Sequence, residues 1–90
     1  MSQSAASGRR RFAALRALYT QKADDPAGGQ TVDDAALALG WREAESREIL
    51  EALVARRLAS RDEDTGCYRI TSAGIRVMER TLFHRPHSIS

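Results

Sequence analysis

Between residues 49 and 82 the hydrophobic period changes twice, and each change forces a change of secondary structure. Ile49, Leu50, Leu53, Val54 and Leu58 recur at helical spacing, whereas Tyr68 and Ile70 alternate with Cys67, Arg69 and Thr71 at a period of two. Ile75, Met78 and Leu82 then return to helical spacing. The stretch therefore predicts a helix, a two-stranded hairpin and a second helix. The hairpin tip, DEDTG, holds Asp64 and Gly66 for the backbone a short turn needs. Tyr68 and Ile70 are expected to face inward and Cys67 outward. Thr71 or Ser72 caps the last helix, and Pro86, beyond Phe83, is where it can no longer continue.

The preceding residues supply two more helices. Phe12, Leu15, Leu18 and Tyr19 form an apolar stripe on the first, with the fold starting near Arg9. In TVDDAALALGW, Thr31 is placed to cap a short second helix and Gly40 to end it. Between the two lies ADDPAGGQ, whose Pro26, Gly28 and Gly29 break any helix. Thr31 and Val32 are expected to add a short third strand beside the hairpin. Residues 1–8, MSQSAASG, are small and polar and read as a flexible arm; residues 84–90 read as a flexible tail. Trp41, in the turn after Gly40, reads as a core plug, because it offers more apolar area than any other side chain of this chain.

In this order, residues 9–83 resemble the winged-helix family of small bacterial transcription regulators. The pieces that carry the resemblance are TVDDAALALGW as the lead-in helix, LVARRLA where a helix end runs into a strand, and GCYRITSAG with its aromatic, strand, Thr and Gly. The resemblance implies an α+β fold, a winged helix-turn-helix with a three-helix bundle, a short β-hairpin wing and a C-terminal helix. It further implies double-stranded DNA as partner and a part in transcriptional control. Arg57 stands where that family carries a glycine, which implies a looser turn after the third helix.

Composition narrows the alternatives. Ninety residues allow one domain, and a chain of that size buries only about 60 to 65% of its surface, so a second copy or a partner has room to complete the core. No apolar run is long enough to span a membrane and no signal-peptide pattern opens the chain, so the expected location is the cytoplasm. Cys67 is the only cysteine, which excludes an internal disulfide and makes a redox switch a remote reading; with His84 and His87 it offers too few ligands for a structural zinc. No phosphate loop or nucleophile motif is present, and neither an enzyme nor a cofactor is expected.

The net charge of +2 hides an uneven distribution. Residues 1–23 carry five basic side chains and no acid, while residues 24–64 carry eleven acids against five arginines. The third helix, expected from Glu43 to Leu58, would be the recognition helix, and Glu45, Glu48 and Glu51 group on its outward side with Ala44, Ala52 and Ala55. A glutamate among phosphates is repelled unless it accepts a hydrogen bond from cytosine. The candidate DNA-binding set is Arg9, Arg10 and Arg11 on the basic run, Arg42 before the third helix, Glu45, Arg47 and Glu48 on it, and Arg61 and Arg69 on the wing. The other readings stay open at this point. Glu45, Glu48 and Glu51 equally suit a basic protein partner in a winged-helix interaction module without DNA, or form a plain solvated face. A homodimer through the last helix is expected, with Val77 opposite the Ile75, Met78 and Leu82 face and Phe83 extending the apolar surface.

Overall fold

Four helices and one antiparallel hairpin make up residues 2–83, the part of the chain that a computed structural model describes. They run in the order α1 (Ser2–Asp24), α2 (Val32–Leu39), α3 (Glu43–Ala55), β1 (Ala59–Arg61), β2 (Tyr68–Ile70) and α4 (Ser72–Phe83), an α+β arrangement. The helix starts follow from side-chain chemistry. Thr31 accepts a hydrogen bond from the Asp34 backbone N–H at 3.1 Å, and the Asp34 carboxylate accepts one from the Thr31 N–H at 3.2 Å, so two otherwise orphaned donors of α2 are satisfied reciprocally. Thr71 caps α4 in one direction, its hydroxyl oxygen accepting from Gly74 N–H at 3.1 Å. Gly40 ends α2 in the left-handed region at φ 70°, where a side chain would be strained.

Two expectations about the chain path need correction. The helix α1 begins at Ser2 and not near Arg9, so the small residues read as an arm are its first turns. Apart from Gly8 they contain no helix breaker, and each residue added to an existing helix gains a hydrogen bond at low cost. The strand expected at Thr31 and Val32 is displaced to Gln30, which exchanges backbone bonds of 2.9 and 2.6 Å with Tyr68. Thr31 is committed to capping, and Val32 is already helical. The expected tail, 84–90, with His84, Pro86 and His87, lies outside the described residues.

The third helix stops at Ala55, three residues before the expected end, and its exit is tight rather than loose. Arg57 takes φ 63°, the conformation a glycine would adopt, and its N–H bonds Val54 C=O at 2.9 Å while Leu58 N–H bonds Leu53 C=O at 2.9 Å. That pair of bonds closes the helix as a glycine C-cap does. An arginine in the left-handed region costs roughly 1–2 kcal/mol, which the packing of Leu58 against the core offsets. The exit leads straight into β1.

The core draws on every element: Ala14, Leu15 and Leu18 from α1, Ala35 from α2, Ile49, Leu50 and Leu53 from α3, Ala59, Tyr68 and Ile70 from the hairpin, and Met78 from α4. Strand register pairs Ala59 with Ile70 and Arg61 with Tyr68, which turns Tyr68 and Ile70 inward as their alternation predicts. Trp41 packs against this core. Gly74 is buried where α4 crosses the end of β2; a Cβ there would overlap the Leu58 carbonyl and approach Ile70 Cγ1 to 2.7 Å. Val77, expected to point away from the domain, packs on the core, whereas Leu82, expected to face inward, is 38% exposed and Phe83 64%. The helix turns its apolar face further toward α1 than spacing alone indicates.

Candidate nucleic-acid interface

The turn Gly40, Trp41, Arg42 joins α2 to α3 and leaves the start of α3 in solvent, with Arg42, Glu43, Ala44, Arg47 and Glu48 all exposed. At 3.6 residues per turn, Glu45, Glu48 and Glu51 advance by about 60° each around the helix. They therefore span an arc of about 120° and not the single stripe their grouping suggested. The two outer ones meet neighbouring elements. Glu45, with 25% of its side chain exposed, forms an ion pair with Arg10 of α1 at 2.5 Å. Glu51 accepts hydrogen bonds from the Tyr68 hydroxyl and from the Arg61 guanidinium, both on the hairpin. Glu48 lies between these attachments and makes no ion pair among the described residues.

The Glu51 cluster is electrostatically coupled. Burial pushes the Tyr68 hydroxyl above its ordinary value, with its bond to Glu51 acting in the same direction. Arg61 is raised above its ordinary value by the neighbouring Tyr68 hydroxyl and then by the charge of Glu51, so it stays cationic.

The remaining expected residues are dispersed over several surfaces. Arg9 and Arg10 are exposed on α1, but Arg11, a further 100° round, is half-buried beside Phe12, Leu15 and Leu53. A helix cannot present three consecutive arginines as one strip. Arg47 pairs with Glu43 one turn earlier at 2.9 Å. Arg69 donates to the carbonyls of Gly28 at 3.0 Å and Ala27 at 3.1 Å, and so pins the α1–α2 loop to β2. Arg42 makes no ion pair among the described residues. With Arg10, Ala44, Glu45 and Glu48 it lines a shallow depression of about 450 Å³ at the start of α3.

Two features escaped the sequence reading. Ser46 is fully buried on the inner side of α3, a position its spacing from Ile49 and Leu50 could have revealed. The Glu51–Tyr68 bond had only a general signal, the need of a buried tyrosine hydroxyl for a partner. Among the described residues no group of three or more His, Cys, Asp or Glu side chains could hold a metal ion. No described helix is long and apolar enough to cross a membrane. In comparisons with known proteins, the chain matches no family model, no curated protein and no solved structure.

Proposed function

We propose that the chain is a winged helix-turn-helix protein that binds double-stranded DNA and takes part in transcriptional control. In this reading α3 enters the major groove, the hairpin is the wing, and Arg9, Arg10, Arg42, Arg47 and Arg61 reach phosphates on either side. The observation that carries the reading is the way Glu45 and Glu51 are engaged. Three free carboxylates on α3 would repel a phosphate backbone, but Arg10 and Arg61 each neutralise one of them. Those pairs are solvent-accessible, with Arg10 50% and Arg61 42% exposed, so each guanidinium can add a phosphate contact at little cost. The same pairing weakens the alternative of an acidic docking face, which needs its carboxylates free for a basic partner. A second copy joined through the end of α4 is part of the proposal, because Leu82 and Phe83 are exposed there and a dimer doubles the site read.

Titration of a labelled duplex over a salt series tests the reading. Each phosphate contact contributes about −0.9 to the slope of log affinity against log salt, so a steep negative slope is expected. Replacing Arg9 and Arg10 by Ala should make it shallower and lower affinity evenly across sequences. Absence of duplex binding at low salt, with the double variant behaving as the parent, would overturn the DNA reading in favour of the partner-binding one.

A further inference from the structure

We infer that the chain holds a binding site for a small apolar carboxylate, a single ring or short branched chain carrying one anionic group, in a slot between α1, the exit of α3 and α4. The site shares no residue with the proposed DNA contacts, so the inference stands apart from the DNA-binding reading.

The slot has a volume of about 170 Å³. Its apolar wall is formed by Phe12 and Leu15 of α1, Leu53 of α3, Leu58 just before β1 and Val77 of α4. Leu15 and Leu53 are core residues, 2% and 1% exposed, so the slot reaches down to the core itself. A cavity of about 150 Å³ accommodates benzene, which sets the ligand's apolar part at one ring or its aliphatic equivalent.

Two cations complete the lining, half-buried Arg11 on α1 and exposed Arg56 just past the end of α3. An arginine lays its methylenes on apolar surface and keeps its guanidinium at the water side, so both charges belong at the mouth. No acidic side chain lines the slot, and neither arginine makes an ion pair among the described residues. Arg10, Arg47, Arg61 and Arg69 differ in this respect, since each meets an acid. The depression at the start of α3 differs too, because there Arg10 and Arg42 share the lining with Glu45 and Glu48.

An apolar wall and uncompensated charge are independent features, and one ligand satisfies both. Two like charges around so small a slot repel each other, and an anion between them turns the repulsion into two attractions. A carboxylate matches the planar fork of a guanidinium and takes charge-assisted hydrogen bonds from it. Its apolar body meanwhile displaces water from the wall. Inorganic phosphate brings the charge without the body, a neutral ring brings the body without the charge, and an amine is repelled.

Titration of the full chain with benzoate, followed by NMR at the methyl and ring signals of Phe12, Leu15, Leu53, Leu58 and Val77, tests the site. Saturable shifts concentrated in these signals are expected, with a melting temperature that rises with benzoate concentration. Benzamide, which keeps the ring and loses the charge, should bind about tenfold more weakly or worse. Acetate and inorganic phosphate should leave these signals in place. Arg56→Gln, an exposed substitution, should weaken benzoate about tenfold and leave benzamide unchanged; Arg11→Gln, its fold checked by its melting curve, should do the same. The site is overturned if benzoate gives no saturable shift at these signals, if benzamide binds as well as benzoate, or if both glutamine variants bind benzoate as the parent does.

Discussion

Tyr68 donates its hydroxyl hydrogen to the Glu51 carboxylate, a bond that spans 17 positions of sequence and ties β2 to α3. Its ring fills the core while its polar tip meets a carboxylate that also receives Arg61. The angle between hairpin and helix is therefore set by a polar contact at the edge of an apolar one.

Tyr68→Phe keeps the ring and removes this contact, and it is expected to destabilise the fold by about 1–2 kcal/mol in urea unfolding near neutral pH. The pH dependence has a defined sign. Because the folded value of Tyr68 lies above its ordinary value, its contribution is fully present below about pH 10 and is lost as pH rises through the folded value. The Phe variant should lose stability less steeply in that alkaline window, and identical curves would show that the Tyr68 hydroxyl is not held above its ordinary value in the folded protein.

Arg57 holds φ 63° at the exit of α3. Arg57→Gly relieves that strain and pays back part of the gain through a more flexible unfolded chain, for a net stabilisation of up to about 1 kcal/mol. Arg57→Ala, which keeps a Cβ, should give no such gain. Thermal melts of the two variants separate backbone strain from loss of the guanidinium.

Gly74 lies inside a helix, where alanine is intrinsically better by about 1 kcal/mol. Gly74→Ala is nonetheless expected to destabilise by about 1–3 kcal/mol, because the new methyl meets the Leu58 carbonyl and Ile70 rather than solvent. A melting temperature equal to or above that of the parent would show that α4 does not approach the hairpin this closely.

Arg42 stands alone at the start of α3, without an ion pair among the described residues. If it holds a phosphate, Arg42→Ala should make the salt slope of duplex binding shallower by about 0.9 and leave base preference unchanged. An unchanged slope would move the phosphate contacts elsewhere on the surface.

The sequence by itself determined the order of elements, the inward faces of the hairpin and the capped ends of α2, because hydrophobic period and capping chemistry act over a few residues and can be read locally. It also indicated which arginines and glutamates to consider, though not their partners. That Glu45 turns to Arg10 and Glu51 to Tyr68 and Arg61 was decided only when α1 and the hairpin packed against opposite flanks of α3. Tertiary packing likewise put Arg57 into a left-handed turn, which local preference opposes, because the packing of Leu58 on the core and the two closing bonds outweigh the strain. It also rotated Val77 inward and Leu82 partly outward, since the crossing of α4 over α1, and not helical spacing, chooses which side of an amphipathic helix is covered. Charge pairing depends on distances between elements far apart in the chain, and a one-dimensional pattern carries no record of them.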